Sequence, residues 1–196
     1  SLAVTTLFWG AGATLQFIVS RWSETALGLG LSKASMLQGV VAIGVATGSV
    51  LAARYISLRK AMNVIPLGIA MGLVVMTMVG VTEAWIAMAL MVLVGGLAGF
   101  FVVPMNALLQ HRGHNLMGAG RSIAVQNFNE QACILGLGAF YTALTKFGLS
   151  AFGAITIFGI VVAGTMELIR RWHRHNTVQH RDEVERLLAI ARSDPH

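Results

Sequence analysis

The sequence predicts an all-α membrane protein, a bundle of six transmembrane helices. Three observations predict it. Charged residues make up 11% of the chain and apolar ones 56%, whereas a soluble domain carries about 25% charged residues. The apolar residues gather into six stretches, each near the roughly 20 residues needed to cross a bilayer. The basic residues, finally, fall unevenly on the connections between those stretches. Each stretch is expected as a helix, because a spanning segment has to satisfy its own backbone N–H and C=O groups.

The stretches lie at about 2–20, 36–53, 63–81, 84–109, 119–145 and 149–170, one membrane unit over 1–174 followed by a tail over 175–196. Short turns are expected at 28–35, 81–84 and 146–150. The first stretch carries Thr14 and Gln16, and the second carries Gln38 near its start. Gly44 with Gly48, Gly68 with Gly72, and Gly95 with Gly99 form G-x-x-x-G pairs on the second, third and fourth. Such spacing lets two helix backbones approach closely, although a chain with 22 glycines produces some of these pairs by chance. Pro104 removes one backbone hydrogen bond from the fourth helix and is expected to kink or open it. Asn106 and Gln110 follow it. On the sixth, Glu167 is one turn before Arg170 and Arg171, a spacing that predicts ion pairing. In the tail, Val184, Leu187, Leu188 and Ala191 recur with the period of a short amphipathic helix.

Orientation follows from the basic residues. One side of the membrane receives Arg54, Arg59, Lys60, Arg112, Arg121, Arg170, Arg171 and Arg174, which is eight; the other receives Arg21, Lys33 and Lys146, which is three. The richer side is expected in the cytoplasm, which places the tail and the chain's start there. The first residue is Ser1 and apolar sequence begins at once, with no charged region and cleavage site of a signal peptide. The chain is therefore expected to be part of a longer polypeptide.

Enzyme and cofactor signatures are missing: no G-x-S-x-G, H-E-x-x-H, P-loop or dinucleotide fingerprint occurs, and the chain reads as no enzyme and as needing no cofactor. The lone Cys133 excludes an internal disulfide framework. His111 and His114, expected in a cytoplasmic loop, are too few for a metal ligand set. Aromatic and basic residues do not interleave, which sets nucleic acid aside as a partner.

Chemistry concentrates instead in the fifth stretch. Over 121–136 it reads R-S-I-A-V-Q-N-F-N-E-Q-A-C-I-L-G. At about 100° per residue, Ser122, Gln126, Asn129 and Glu130 share one face, Asn127 lies on its flank and Gln131 points away. A charged side chain at membrane depth costs roughly 2.5–3.5 kcal/mol. Glu130 therefore meets a cation on a substrate, pairs with a basic residue of another helix, or carries a proton. The amides have a plainer use in interhelical hydrogen bonds, about 0.6 kcal/mol each. With Asn106 and Gln16, the residues Gln126, Asn127 and Glu130 are expected to line one polar seam.

Six helices with this charge bias suit half of a major facilitator superfamily transporter, and the abrupt start suits its C-terminal half. The run F-F-V-V-P-M-N-A-L-L-Q over 100–110, then Arg112-Gly113, Gly118-Ala119-Gly120 and S-I-A-V-Q-N over 122–127 with Glu130, resembles the bacterial lysophospholipid transporter family. The opening L-F-W-G-A-G over 7–12 and V-A-I-G over 41–44 resemble the same family. The resemblance runs from about 5 to 172 and leaves out the tail.

It implies a carrier that brings lysophospholipids, such as lysophosphatidylethanolamine and lysophosphatidylglycerol, to the cytoplasmic leaflet of the bacterial inner membrane. A cytoplasmic acyltransferase–synthetase then restores the second acyl chain. The partners implied are the lysophospholipid itself, membrane lipid, an N-terminal six-helix half and that enzyme. A lipid headgroup would meet Glu130, Gln126, Asn127, Asn106 and Gln16, with Arg121 near the cytoplasmic exit. Two positions depart from the family pattern: Gln16 stands where relatives can carry Arg, and Arg121 where they can carry an uncharged residue. The rival expectations are a proton-coupled drug or metabolite carrier of the same superfamily, with Glu130 as the coupling carboxylate, and a non-transporting anchor for a partner enzyme.

Overall fold

The computed structural model describes residues 2–28 and 30–179. Among them no strand occurs, and the long elements are helices: α1 Leu2–Leu27, α2 Leu31–Tyr55, α3 Ile65–Thr77, α4 Ala84–Met117, α5 Ala119–Lys146 and α6 Ala151–Gln179. Among the described residues, five spans are long and apolar enough to cross a membrane: Leu2–Leu27, Ser35–Tyr55, Lys60–Gly80, Ala84–Met117 and Ala151–Asn176. α5 has the length, 28 residues, but its polar first half keeps it out of that set. Large apolar side chains such as Phe17, Ile43, Phe128 and Leu168 point outward, an association liability in water and the natural outer surface in lipid. The chain forms a multi-pass, all-α membrane bundle.

Several boundaries differ from the sequence expectation. The third stretch is not one α-helix, because 3₁₀ segments Leu58–Val64 and Met78–Gly80 flank α3. Pro66 sits in the first turn of α3; its ring and missing N–H are tolerated only there, so the α-helix begins beside it. The fourth helix runs on to Met117, so His111 and His114 lie on its last turns rather than in a loop. Its 34 residues span about 51 Å at about 1.5 Å each, well over the roughly 30 Å of hydrocarbon. Its polar end is helix that has left the membrane. Pro104 sits inside α4 without ending it. The sixth helix likewise passes residue 170 and reaches Gln179. The amphipathic segment expected around Val184 to Ala191 lies outside the described residues.

α4 reverses into α5 at the single residue Gly118, with φ 81° and ψ 155°. That backbone region is essentially closed to side chains, so the tight α4–α5 corner needs glycine.

All three G-x-x-x-G pairs are helix contacts. A Cβ at Gly44 would land on the Val92 carbonyl oxygen, one at Gly48 on that of Gly96, one at Gly95 on that of Val41 and one at Gly99 on that of Val45. α2 and α4 thus touch backbone to backbone, with residue numbers rising together, so they run parallel. Gly68 meets Met166, and Gly72 meets Gly159 and Ala163, which sets α3 antiparallel to α6. Gly10 of α1 abuts Cys133 and Leu137 of α5, and Thr14 and Ile18 continue that contact toward Tyr141 and Leu144, which sets α1 parallel to α5.

The closest pairings are therefore α1 with α5, α2 with α4 and α3 with α6. Exchanging α1–α3 for α4–α6 leaves this pattern of pairings unchanged. Arg54, Lys60, Arg112, Arg121, Arg170 and Arg171 all fall at one end of the bundle, called the basic end below. The interior is closed by Trp22, Phe101, Met91, Met105 and Met166, all at most 1% exposed. Phe8 stacks on Phe101 with centroids 5.4 Å apart and fixes the level of α1 against α4.

Candidate functional site

α5 is built inside out. Its buried residues are Ser122, Gln126 and Glu130, four apart on one face, while Phe128, Leu135 and Phe140 are exposed. Lipid accepts that apolar outer face at no cost, so α5 is held by what its polar face meets. Ser122 packs on Gly113 of α4, where a Cβ would collide with the Ser122 hydroxyl. One turn deeper, Gln126 Nε2 donates to Glu130 Oε1 at 2.8 Å and makes a long contact, 3.5 Å, to Asn106 Oδ1 of α4. The structure thus brings together three of the expected site residues: Glu130, Gln126 and Asn106.

Glu130 is 9% exposed. A carboxylate offers about four acceptor positions, and one hydrogen bond is recorded here. Among the described residues, the ion pairs are those of Glu167 with Arg170 at 2.7 Å and Arg171 at 2.9 Å, as the spacing predicted. Among the described residues Glu130 is thus a buried carboxyl group with no cationic partner, an arrangement that suits an incoming cation.

Beside this cluster lies an apolar groove of about 580 Å³, within the usual range for a small-ligand site. Its walls come from α1, through Trp9 and Ala13, from α2, through Val41 and Val45, and from α4, through Val94, Ala98 and Val102; Ile134 of α5 closes one side. The α4 stripe advances four residues at a time, and the next step after Val102 is Asn106. On α5, the residue one turn from Ile134 is Glu130. The polar cluster therefore stands at the basic end of the groove.

Gln16 lies elsewhere. Nine residues of register separate it from Glu130, six from Gly10 to Gln16 and three from Glu130 to Cys133, or about 13 Å along the parallel axes. There it lines the far part of the groove with Gln38, whose Nε2 donates to the Gln16 carbonyl at 3.1 Å and to Ser20 Oγ at 3.2 Å. The seam expected to hold Gln16 together with Glu130 is thus two polar stations with an apolar stretch between. Asn127 and Arg121 are exposed on the outside of α5 and join neither station.

One residue that the sequence does not flag is Thr6. It is half-buried on α1, and its hydroxyl oxygen is buried with no hydrogen-bond partner.

A groove with a charged end and an oily length suits an amphiphile, and the known proteins that resemble the chain point the same way. Over 149 residues, 76% of the chain, it is 41% identical to "Lysophospholipid transporter LplT" of Yersinia pestis (strain Pestoides F) and to the protein of that name in Yersinia pseudotuberculosis serotype O:3 (strain YPIII). The chain is similar to part of a lysophospholipid transporter. It spans 37% of the length of each of these LplT relatives. No family model and no solved structure matches it.

Proposed function

We propose that the chain is part of a bacterial lysophospholipid carrier, with the headgroup at Glu130, Gln126 and Asn106 and the acyl chain along the apolar groove. The observation that carries this reading is the join between the two: a buried, uncompensated carboxylate at the end of an apolar groove of about 580 Å³. The similarity to LplT supports the substrate class. The excess of basic residues at one end supports placing that end in the cytoplasm of a bacterial inner membrane, where Glu130 lies on the cytoplasmic side of the groove. A headgroup held there is poised for the cytoplasmic leaflet, and a cytoplasmic acyltransferase–synthetase would use the delivered lipid.

Exposed Asn127 and Gln131 sit on α5 at membrane depth, where unpaired amides are costly against hydrocarbon. This supports further helices of the same polypeptide, an N-terminal six-helix half, packing over that side. Arg121, exposed at the start of α5, would meet a phosphate as it leaves.

The test is uptake of radiolabelled lysophosphatidylethanolamine into spheroplasts that express the complete protein and lack other lysolipid carriers. Saturable uptake, competed by lysophosphatidylglycerol and not by excess cationic drug, is expected. Accumulation of a drug or metabolite without any lysolipid uptake would contradict the reading.

A further inference from the structure

The outer face of α6 changes character at its basic end. Ile157, Ile160, Gly164 and Leu168 recur three or four residues apart, so they form one stripe along the helix. Ile160 is 56% exposed and Leu168 66%. A Cβ at Gly164 would meet nothing within 4 Å, which leaves a notch between those two side chains. The groove-lining residues of α6, Phe158 and Val162, lie on the opposite side of the helix. One turn beyond Leu168 come Arg171 and Trp172, both exposed, and then His175. An indole in such a place sits at the level of lipid headgroups.

Arg171 is held but not used up. Glu167, one turn before it, accepts its Nε–H at 2.9 Å and also accepts Arg170 Nη2 at 2.9 Å. A guanidinium has five N–H donors, and among the described residues the Nε–H of Arg171 is the one with an acceptor. The Arg171 side chain is 75% exposed, so its Nη fork stands free on a fixed stem.

Positive charge accumulates around that fork. Gly68 of α3 meets Met166 of α6, and eight residues toward the basic end on each side of the contact stand Lys60 and Arg174, both exposed. Arg170, Arg171, Arg174 and Lys60 bring four positive charges to this corner, against the one negative charge of Glu167. The other acids among the described residues are elsewhere: Glu24 and Glu83 at the opposite end, and Glu130 on α5.

We infer that this corner binds an anionic phospholipid of the leaflet at the basic end, with its phosphate on Arg171 and Arg174 and an acyl chain along the α6 stripe. The Nη fork offers paired N–H donors that match phosphate oxygens. Basic pockets at the inner ends of transmembrane helices hold lipid headgroups by this chemistry. An acidic peptide would answer the charge and leave Ile160, Gly164 and Leu168 unmatched; a phospholipid answers both. The lipid lies on the outside of the bundle, so its binding does not depend on what the groove carries.

The complete protein in detergent is titrated with phosphatidylglycerol or phosphatidylcholine, and bound lipid is counted by native mass spectrometry. Wild type is expected to hold phosphatidylglycerol at least tenfold more tightly. Arg171→Gln and Arg174→Gln are each expected to weaken phosphatidylglycerol about fivefold and to leave phosphatidylcholine unchanged, while Arg21→Gln at the opposite end changes neither. Arg174→Gln decides the matter where Arg171→Gln fails to fold, because Arg174 has no ion pair among the described residues to lose. Phosphatidylglycerol with a diazirine on its headgroup is expected to label α6 around Trp172. Equal affinity for the two lipids, unchanged affinity in Arg174→Gln, or labels confined to the groove walls of α1 and α4 overturns the site. Competition by inorganic phosphate also overturns it, in favour of a free anion. Tighter binding after removal of 180–196 does so too, by making the acidic run with Asp182, Glu183 and Glu185 the occupant.

Discussion

Replacing Gly48 by leucine is expected to prevent the complete protein from assembling. A Cβ at Gly48 would sit on the Gly96 carbonyl, and a Cβ at Gly95 or Gly99 meets backbone of α2 in the same way. Backbone cannot step aside as a flexible side chain can, so α2 and α4 must part along the contact. Overpacking costs about 1–3 kcal/mol and sometimes more. Helix association in lipid relies on this close packing, since burial from water does not drive it. A leucine here therefore removes most of what joins the two helices. Gly39 provides the control on the same helix, because a Cβ there meets nothing within 4 Å; Gly39→Leu is expected to fold. The check is the monodisperse fraction and the Tm in detergent. Equal behaviour of the two variants would show that the α2–α4 contact does not hold the bundle.

Glu130→Gln is expected to do the reverse: keep or raise the Tm and lower lysophosphatidylethanolamine transport at least tenfold. Glutamine preserves the volume and a carbonyl to receive the Gln126 amide, and it removes a buried carboxyl group that has no cationic partner among the described residues. If Glu130 served only to bind helices together, an amide would serve as well or better. Loss of a bond between a charged donor and a charged acceptor is worth about 1.5–3 kcal/mol, or roughly 10- to 150-fold in affinity. Stability and transport thus move in opposite directions, as expected where a site keeps a strained group for function. A variant that unfolds yet transports normally per folded molecule would assign Glu130 to structure.

Much of this fold was legible because its signals are local. Apolar runs mark the helices, and glycines four apart mark the α2–α4 and α3–α6 contacts without any knowledge of the partner. The convergence of Gln126 and Glu130 also follows from helical period alone. Gln16 was misplaced for a nonlocal reason: its distance from Glu130 depends on Gly10 facing Cys133, a register that no property of either stretch displays. His111 and His114 read as loop because polarity at the end of an apolar run signals exit from the membrane, and α4 exits without ending. Thr6 was missed because a threonine in an oily helix is ordinarily satisfied by its own backbone.

The central claim is that headgroup and acyl chain lie along one groove, with the headgroup toward the basic end. Photocrosslinking tests it most directly, using the complete protein in membranes and two lysophosphatidylethanolamine probes, one with a diazirine at the acyl terminus and one with it on the headgroup. The acyl-terminal probe is expected to label the segment around Gln38 and Val41 of α2 and Gln16 of α1, and the headgroup probe to label α5 around Glu130. Labels from both probes confined to the lipid-facing side of α3 and α6, or the two patterns exchanged, would contradict it.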